Sequence, residues 1–343
     1  MIKEIVNMKK KLLALVLTAV MALSLAACGS SSSQSTAPAD TKEPAEAEPA
    51  AETYTIGICQ LVQHDALDAA TQGFMDAVKE GLGEENVAFL EQNASNDPAA
   101  CSSICGQFVT EGVDLILANA TPALQAAVAA TGSIPILGTS VTEYGVALDI
   151  DDFSGTVGGN VSGTSDLAPL DQQAAMVKEL FPNAQTVGLV YCSGEANSQY
   201  QVDTVKGYLE ELGYTCELYS FVDSNDVTSV VKTACDNSDV LYIPTDNTAA
   251  SNAEAINNVA QPAGVPIVAG EENICAGCGV ATLSINYYDL GVATGKMAVR
   301  ILKDGEDIST MAIEYAPQFT KKYNVDLADA LGVTIPEDYT AIG

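Results

Sequence analysis

The chain has 343 residues, 48% of them hydrophobic, with 45 acidic residues against 14 basic ones and a formal net charge of −31. That imbalance excludes nucleic-acid binding and attachment to a membrane through a polybasic patch. One histidine leaves little material for general-base catalysis, and no tryptophan is present to stack a sugar ring.

In chain order, Lys9-Lys10-Lys11 precedes an apolar stretch from Leu12 to Leu23, and then Leu25-Ala26-Ala27-Cys28. The stretch falls short of the roughly 20 apolar residues a membrane-spanning helix needs. A basic start, a short apolar core and small residues before a cysteine predict a lipoprotein signal peptide over residues 1–27, with Cys28 as the lipidated residue. Residues 28–52 are rich in Ser, Ala, Pro and Glu, a composition that buries too little apolar surface to order itself, so a disordered tether is expected. The folded part is then expected outside a bacterial cytoplasmic membrane, held there by lipid.

From Thr55 the pattern alternates. Strand-like runs at 55–59, 87–90, 115–118 and 134–137 are separated by helical spacing at 66–82, 97–109 and 122–131, with Asp97-Pro98 as a helix start. The alternation restarts with helices at 171–181, 200–212, 227–235 and 250–263 and strands at 186–191, 216–220, 240–243 and 267–269. Short strands separated by helices mean parallel sheets with right-handed crossovers. The predicted fold is α/β, two doubly wound parallel-sheet lobes joined by a three-crossing hinge. Residues 53–164 and 282–308 are assigned to lobe 1, and residues 165–281 and 309–343 to lobe 2. Open sheets of this kind bind ligands at the carboxyl ends of their strands.

The candidate residues at those ends are Gln60, Gln63 and His64; Asn119 and Thr121; Thr139, Ser140 and Thr142; Ser193, Glu195, Asn197 and the intervening Ala196; Asp246 and Asn247; and Glu271, all polar except Ala196. Tyr287 is a candidate for an apolar pocket wall. Ser, Thr, Asn and Asp also serve as ordinary helix caps in βα loops, which is an equal reading of any one of them. As a set they describe a zwitterion clamp: the hydroxyls of the first lobe for a carboxylate, Asp246 and Glu271 of the second for an ammonium group. A neutral sugar or nucleoside is the alternative ligand. No GxGxxG, Walker A or GxSxG motif is present, so an enzyme would have to use Cys192 or the Cys275/Cys278 pair. Apart from Cys28, the cysteines read as small buried hydrophobes, and no cofactor or metal is expected.

Three segments, Gln63 to Phe74, Ala118 to Ala123 and Ile136 to Thr142, resemble the first lobe of ABC-importer substrate-binding lipoproteins of the tryptophan/tyrosine-import type. Asn160 to Asp166 resembles that family's first hinge crossing, and Ser193 to Ser198, Asp246-Asn247 and Ala281 to Gly291 continue the similarity through the second lobe. The segment from Gly138 to Thr142 departs from the family pattern, at the pocket wall. The resemblance implies a type I periplasmic-binding fold, an aromatic amino acid as ligand, an ABC permease with its ATPase as partners, and a monomer. A ligand sensor for a membrane receptor is the competing role on the same fold.

Overall fold

The computed structural model describes residues 53–316 and 318–342. The signal peptide, Cys28 and the tether expected up to residue 52 lie outside the described residues.

Two sheets organise the chain. In the first, β1 (Tyr54–Gln60), β2 (Val87–Asn93), β3 (Leu115–Asn119), β4 (Ile136–Val141) and β5 (Val161–Ser165) run parallel, and β11 (Glu314–Tyr315) adds to the edge beside β5. The order is β11-β5-β4-β3-β1-β2. The second sheet contains β6 (Thr186–Cys192), β7 (Thr215–Phe221), β8 (Val240–Ile243), β9 (Ile267–Ala269), β10 (Ala281–Ser284), β12 (Thr320–Tyr323) and β13 (Thr340–Ala341), in the order β13-β12-β10-β9-β8-β6-β7. Among the described strands of this sheet only the β10–β12 pair is antiparallel. β3, β4 and β8 are buried along their whole length, as parallel strands with helices on both faces must be.

The helices α1 (Asp65–Leu82), α2 (Pro98–Glu111), α3 (Thr121–Ala130) and α4 (Tyr144–Ala147) follow the first four strands. Asp97 caps α2 by accepting a hydrogen bond from the Ala99 N–H at 2.8 Å, with Pro98 just inside the start, as its missing N–H allows. The second sheet is covered by α5 (Leu170–Leu180), α6 (Ala196–Glu211), α7 (Val227–Asn237), α8 (Asn247–Ser251), α9 (Ala253–Ala263) and α10 (Glu272–Cys278). The single helix expected over 250–263 is two helices, because the backbone breaks at Asn252. The return helix α11 (Tyr287–Leu302) packs on α1, and α12 (Val325–Leu331) lies near the end of the described chain.

The chain crosses between lobes after Ser165, after Ser284, and between Tyr315 and Thr320. Two expected boundaries are corrected. The strand Ala281–Ser284 pairs with β9 and β12 of the second sheet, so the crossing follows it rather than preceding residue 282. Residues 314 and 315 pair with β5 in the first sheet, so lobe 2 does not resume at 309. Short apolar strands carry no mark of which sheet they join; partner strands decide that. Among the described residues no helix is long and apolar enough to cross a membrane.

Candidate ligand-binding site

The loops after β1, β4, β5, β6, β8, β9 and β10 meet in the cleft between the sheets, and they enclose a small cavity. His64, Ala66 and Leu67 reach it from the start of α1, and Ser140 and Thr142 from the end of β4. Asp166 and Tyr287 stand on the first and second crossings. Asn197, Thr245, Asp246, Asn247, Ala250 and Glu271 complete the wall from the second lobe. The lobes touch across the cleft: Asn96 Nδ2 donates to Thr248 Oγ1 at 3.0 Å, and His64 Nε2 lies 3.4 Å from Asn247 Oδ1.

Three carboxyl groups face this cavity, Asp166, Asp246 and Glu271, all buried, and among the described residues no lysine or arginine lines it. Burial pushes Asp166 up to about 6, against the pull of the Tyr287 and Thr142 hydroxyls. Burial pushes Glu271 up to about 7 despite two backbone N–H donors. Asp246 is raised by burial and then by the neighbouring Glu195 carboxylate. A negative cavity without a cation of its own favours a ligand that brings one.

The three differ in what they already hold. Asp246 caps α8, Oδ1 accepting from the Ala249 N–H at 2.8 Å and Oδ2 from the Cys192 N–H at 2.6 Å. Glu271 caps α10 through the Asn273 and Ile274 N–H groups. Asp166 accepts from the Tyr287 hydroxyl at 3.0 Å on Oδ2, and its buried Oδ1 has no partner.

Four cavity residues carry a buried polar atom without a partner: His64 Nδ1, Ser140 Oγ, Asp166 Oδ1 and Asn197 Oδ1. The surrounding bonds fix their character. Asn247 Nδ2 donates to Glu195 at 2.7 Å, so Asn247 Oδ1 must accept and His64 Nε2 must donate to it. The neutral ring then has Nδ1 as an acceptor. Burial lowers the His64 pKa, which favours that neutral ring. Asn197 Nδ2 faces Glu195 Oε2, Ser198 Oγ and the Thr245 carbonyl, leaving its Oδ1 to accept. Three of the four are therefore acceptors, and the Ser140 hydroxyl can donate or accept. Ser140 is held at φ 53°, in the left-handed region that non-glycine residues seldom adopt and that clusters at functional sites.

Of the residues picked out from sequence, His64, Ser140, Thr142, Asn197, Asp246, Asn247, Glu271 and Tyr287 line the cavity. The others do not. Gln60 and Asn119 bond Thr71 at 2.6 and 2.9 Å and tie β1 and β3 to α1. Thr139 closes a ring of hydroxyls with Thr164 and Thr294 beneath α11. Thr121 is buried at the start of α3, Ala196 is half-buried at the start of α6, and Gln63 and Ser193 are exposed. Glu195 accepts from the N–H and side chain of both Asn247 and Thr248 at 2.7–3.0 Å, and so organises the α8 loop rather than facing the cleft. Sequence reasoning passed over Asp166 as a site residue, although an acid directly after the uncharged strand Val161–Ser165 was a usable signal.

The eight described cysteines are unpaired, and all but the half-buried Cys216 are buried. Cys192 borders the site, but burial pushes its thiol up to about 11, with Asp246 and Glu195 adding to the shift. His64 meets Asn247 rather than a cysteine. No thiolate–imidazole pair is formed at this site.

A family model described as ABC transporter substrate binding protein matches residues 55–342. The chain belongs to the ABC transporter substrate-binding protein family. It is 34% identical over 332 residues to a tyrosine-binding protein of Clostridioides difficile, covering 94% of this chain and 92% of that one. A Streptococcus pneumoniae ABC domain crystallised with L-Trp superposes with a TM-score of 0.81 at 32% identity, over 85% of this chain and 100% of that one. A ligand-free, open substrate-binding protein with adhesive properties from Clostridium difficile scores 0.65 at 37% identity, over 84% of this chain and 99% of that one. The lower score despite the higher identity fits the closed lobes, which the Asn96–Thr248 contact shows independently. The fold is that of the type I periplasmic-binding proteins, and family members bind small molecules for ABC permeases.

Proposed function

We propose that this substrate-binding protein holds an aromatic L-amino acid between its lobes and presents it to an ABC permease from the outer face of the cell membrane, anchored through Cys28. The observation that carries the ligand class is the cavity's three buried carboxyl groups, with unpartnered acceptors beside them and no lysine or arginine among the described residues. An ammonium group supplies the positive charge this wall lacks and N–H donors for its unpartnered acceptors. A sugar or nucleoside offers hydroxyl donors but leaves the charge unanswered. The tyrosine- and tryptophan-binding relatives support the aromatic side chain.

A thermal-shift screen of the purified protein against amino acids, sugars and nucleosides tests this. Ligand at about a hundred times its dissociation constant stabilises by about 2.7 kcal/mol when it binds only the folded state. A rise with Tyr, Trp or Phe supports the reading, and a rise with sugars or nucleosides alone overturns it. The anchor is tested separately: Cys28→Ala should release the protein from the membrane fraction and abolish labelling by a radioactive fatty acid.

A further inference from the structure

We propose that Asp166 is the ammonium anchor of the cleft, so that the charged contact to the ligand is made by the hinge rather than by either lobe. The inference rests on the amino-acid reading above and replaces the expectation that Asp246 and Glu271 take the ammonium group.

Both oxygens of Asp246 and of Glu271 are engaged by backbone N–H groups, Glu271 by its own helix and Asp246 by its own helix and by the end of β6. Asp166 alone of the three has a buried oxygen that accepts no hydrogen bond, the Thr142 hydroxyl standing near the carboxyl without bonding that oxygen. Its backbone N–H donates to the Val141 carbonyl at 3.3 Å, which sets it beside the end of β4, where Ser140 carries the unpartnered hydroxyl. An unsatisfied carboxylate oxygen and an unpartnered hydroxyl that can accept, on adjoining strand ends, suit a group with several N–H donors. Tyr287 fixes the other carboxylate oxygen from the second crossing, so one hydrogen bond ties two of the three hinge strands at this carboxylate. A cation seated there touches the pivot, while Asn197, Asn247 and Glu271 approach the same cavity from the moving lobe.

The test is calorimetric titration with L-tyrosine, with tyramine, which keeps the amine and lacks the carboxylate, and with 3-(4-hydroxyphenyl)propionate, which lacks the amine. Wild type, Asp166→Asn, Asp246→Asn and Glu271→Gln are compared, with L-tryptophan and its analogues substituted if tryptophan is the ligand. Asp166→Asn should weaken the amino acid on the order of a hundredfold, as loss of a buried charged partner does, and should erase the preference over the desaminated acid. That preference should survive in Asp246→Asn and Glu271→Gln. Retention of the preference in Asp166→Asn, or its loss in Glu271→Gln alone, overturns the anchor and leaves the amino-acid reading intact. Failure of wild type to bind any amino acid overturns both. If Asp166→Asn does not fold, Ser140→Ala carries the same comparison, with a several-fold narrowing of the preference expected and an unchanged preference counting against the anchor.

Discussion

At the scale of single residues, the cavity combines groups whose protonation responds to burial in opposite directions. Asp166 and Glu271 have folded-state values raised from 3.8 to about 6 and from 4.5 to about 7, and Asp246 is raised as well. A raised acid holds its proton more tightly in the folded state. Its contribution to stability is full below the unfolded value and is lost as the pH rises through the folded value. His64 works the other way: burial lowers it from 6.5, so the contribution of its neutral ring is lost as the pH falls. Ligand-free protein should therefore lose more stability between pH 4 and pH 6.5 than Asp166→Asn does, measured as Tm against pH. Affinity for an ammonium ligand should rise over the same interval, because the carboxylate it needs is then charged. Parallel pH profiles for wild type and Asp166→Asn would contradict this account.

At the scale of elements, the cleft depends on how closely α1 and α11 approach. Gly73 lies against the Tyr288 carbonyl, Gly291 against that of Ala70, and Gly295 against that of Phe74, so a Cβ at Gly291 would overlap backbone that cannot rotate aside. Both helices contribute to the site at their starts, His64 preceding α1 and Tyr287 opening α11. Gly291→Ala should cost about 1–3 kcal/mol, as overpacking does in tight interiors. It should also displace Tyr287 relative to Asp166. Chemical denaturation reads the first effect and ligand titration the second. The three hydroxyls of Thr139, Thr164 and Thr294 explain why a residue at the end of a binding strand is absent from the cavity: each finds its partners beneath α11.

At the scale of the whole molecule, the lobes are bonded directly by Asn96 to Thr248 and by His64 to Asn247, and a ligand that both lobes contact adds to closure. Asn96→Ala removes the bond to Thr248 and should weaken ligand binding about two- to tenfold, the worth of one neutral hydrogen bond. Thermal stability of the ligand-free protein should change little. Small-angle scattering should show a larger share of open molecules in the variant, and an unchanged share with unchanged affinity would mean the contact does not contribute to closure.

Much of this was legible in the sequence because it depends on local chemistry. The alternation of strand and helix follows from hydrophobic periodicity, the start of α2 from Asp97-Pro98, and the cleft from the rule that parallel strands carry their ligands at their carboxyl ends. Asp246 and Glu271 were likewise findable as acids after apolar strands. What they do there was not, since an acid at a helix start and an acid at a ligand site look the same until the N–H groups around each are counted. Membership of Ala281–Ser284 in the second sheet, the hydroxyl ring at Thr139, and the duty of Glu195 to the α8 loop all depend on residues distant in the chain. So does the unpartnered oxygen of Asp166, which is defined by what folding places around it. Periodicity and loop chemistry are written in neighbouring residues, whereas the satisfaction of a buried polar group is settled only when distant strands meet.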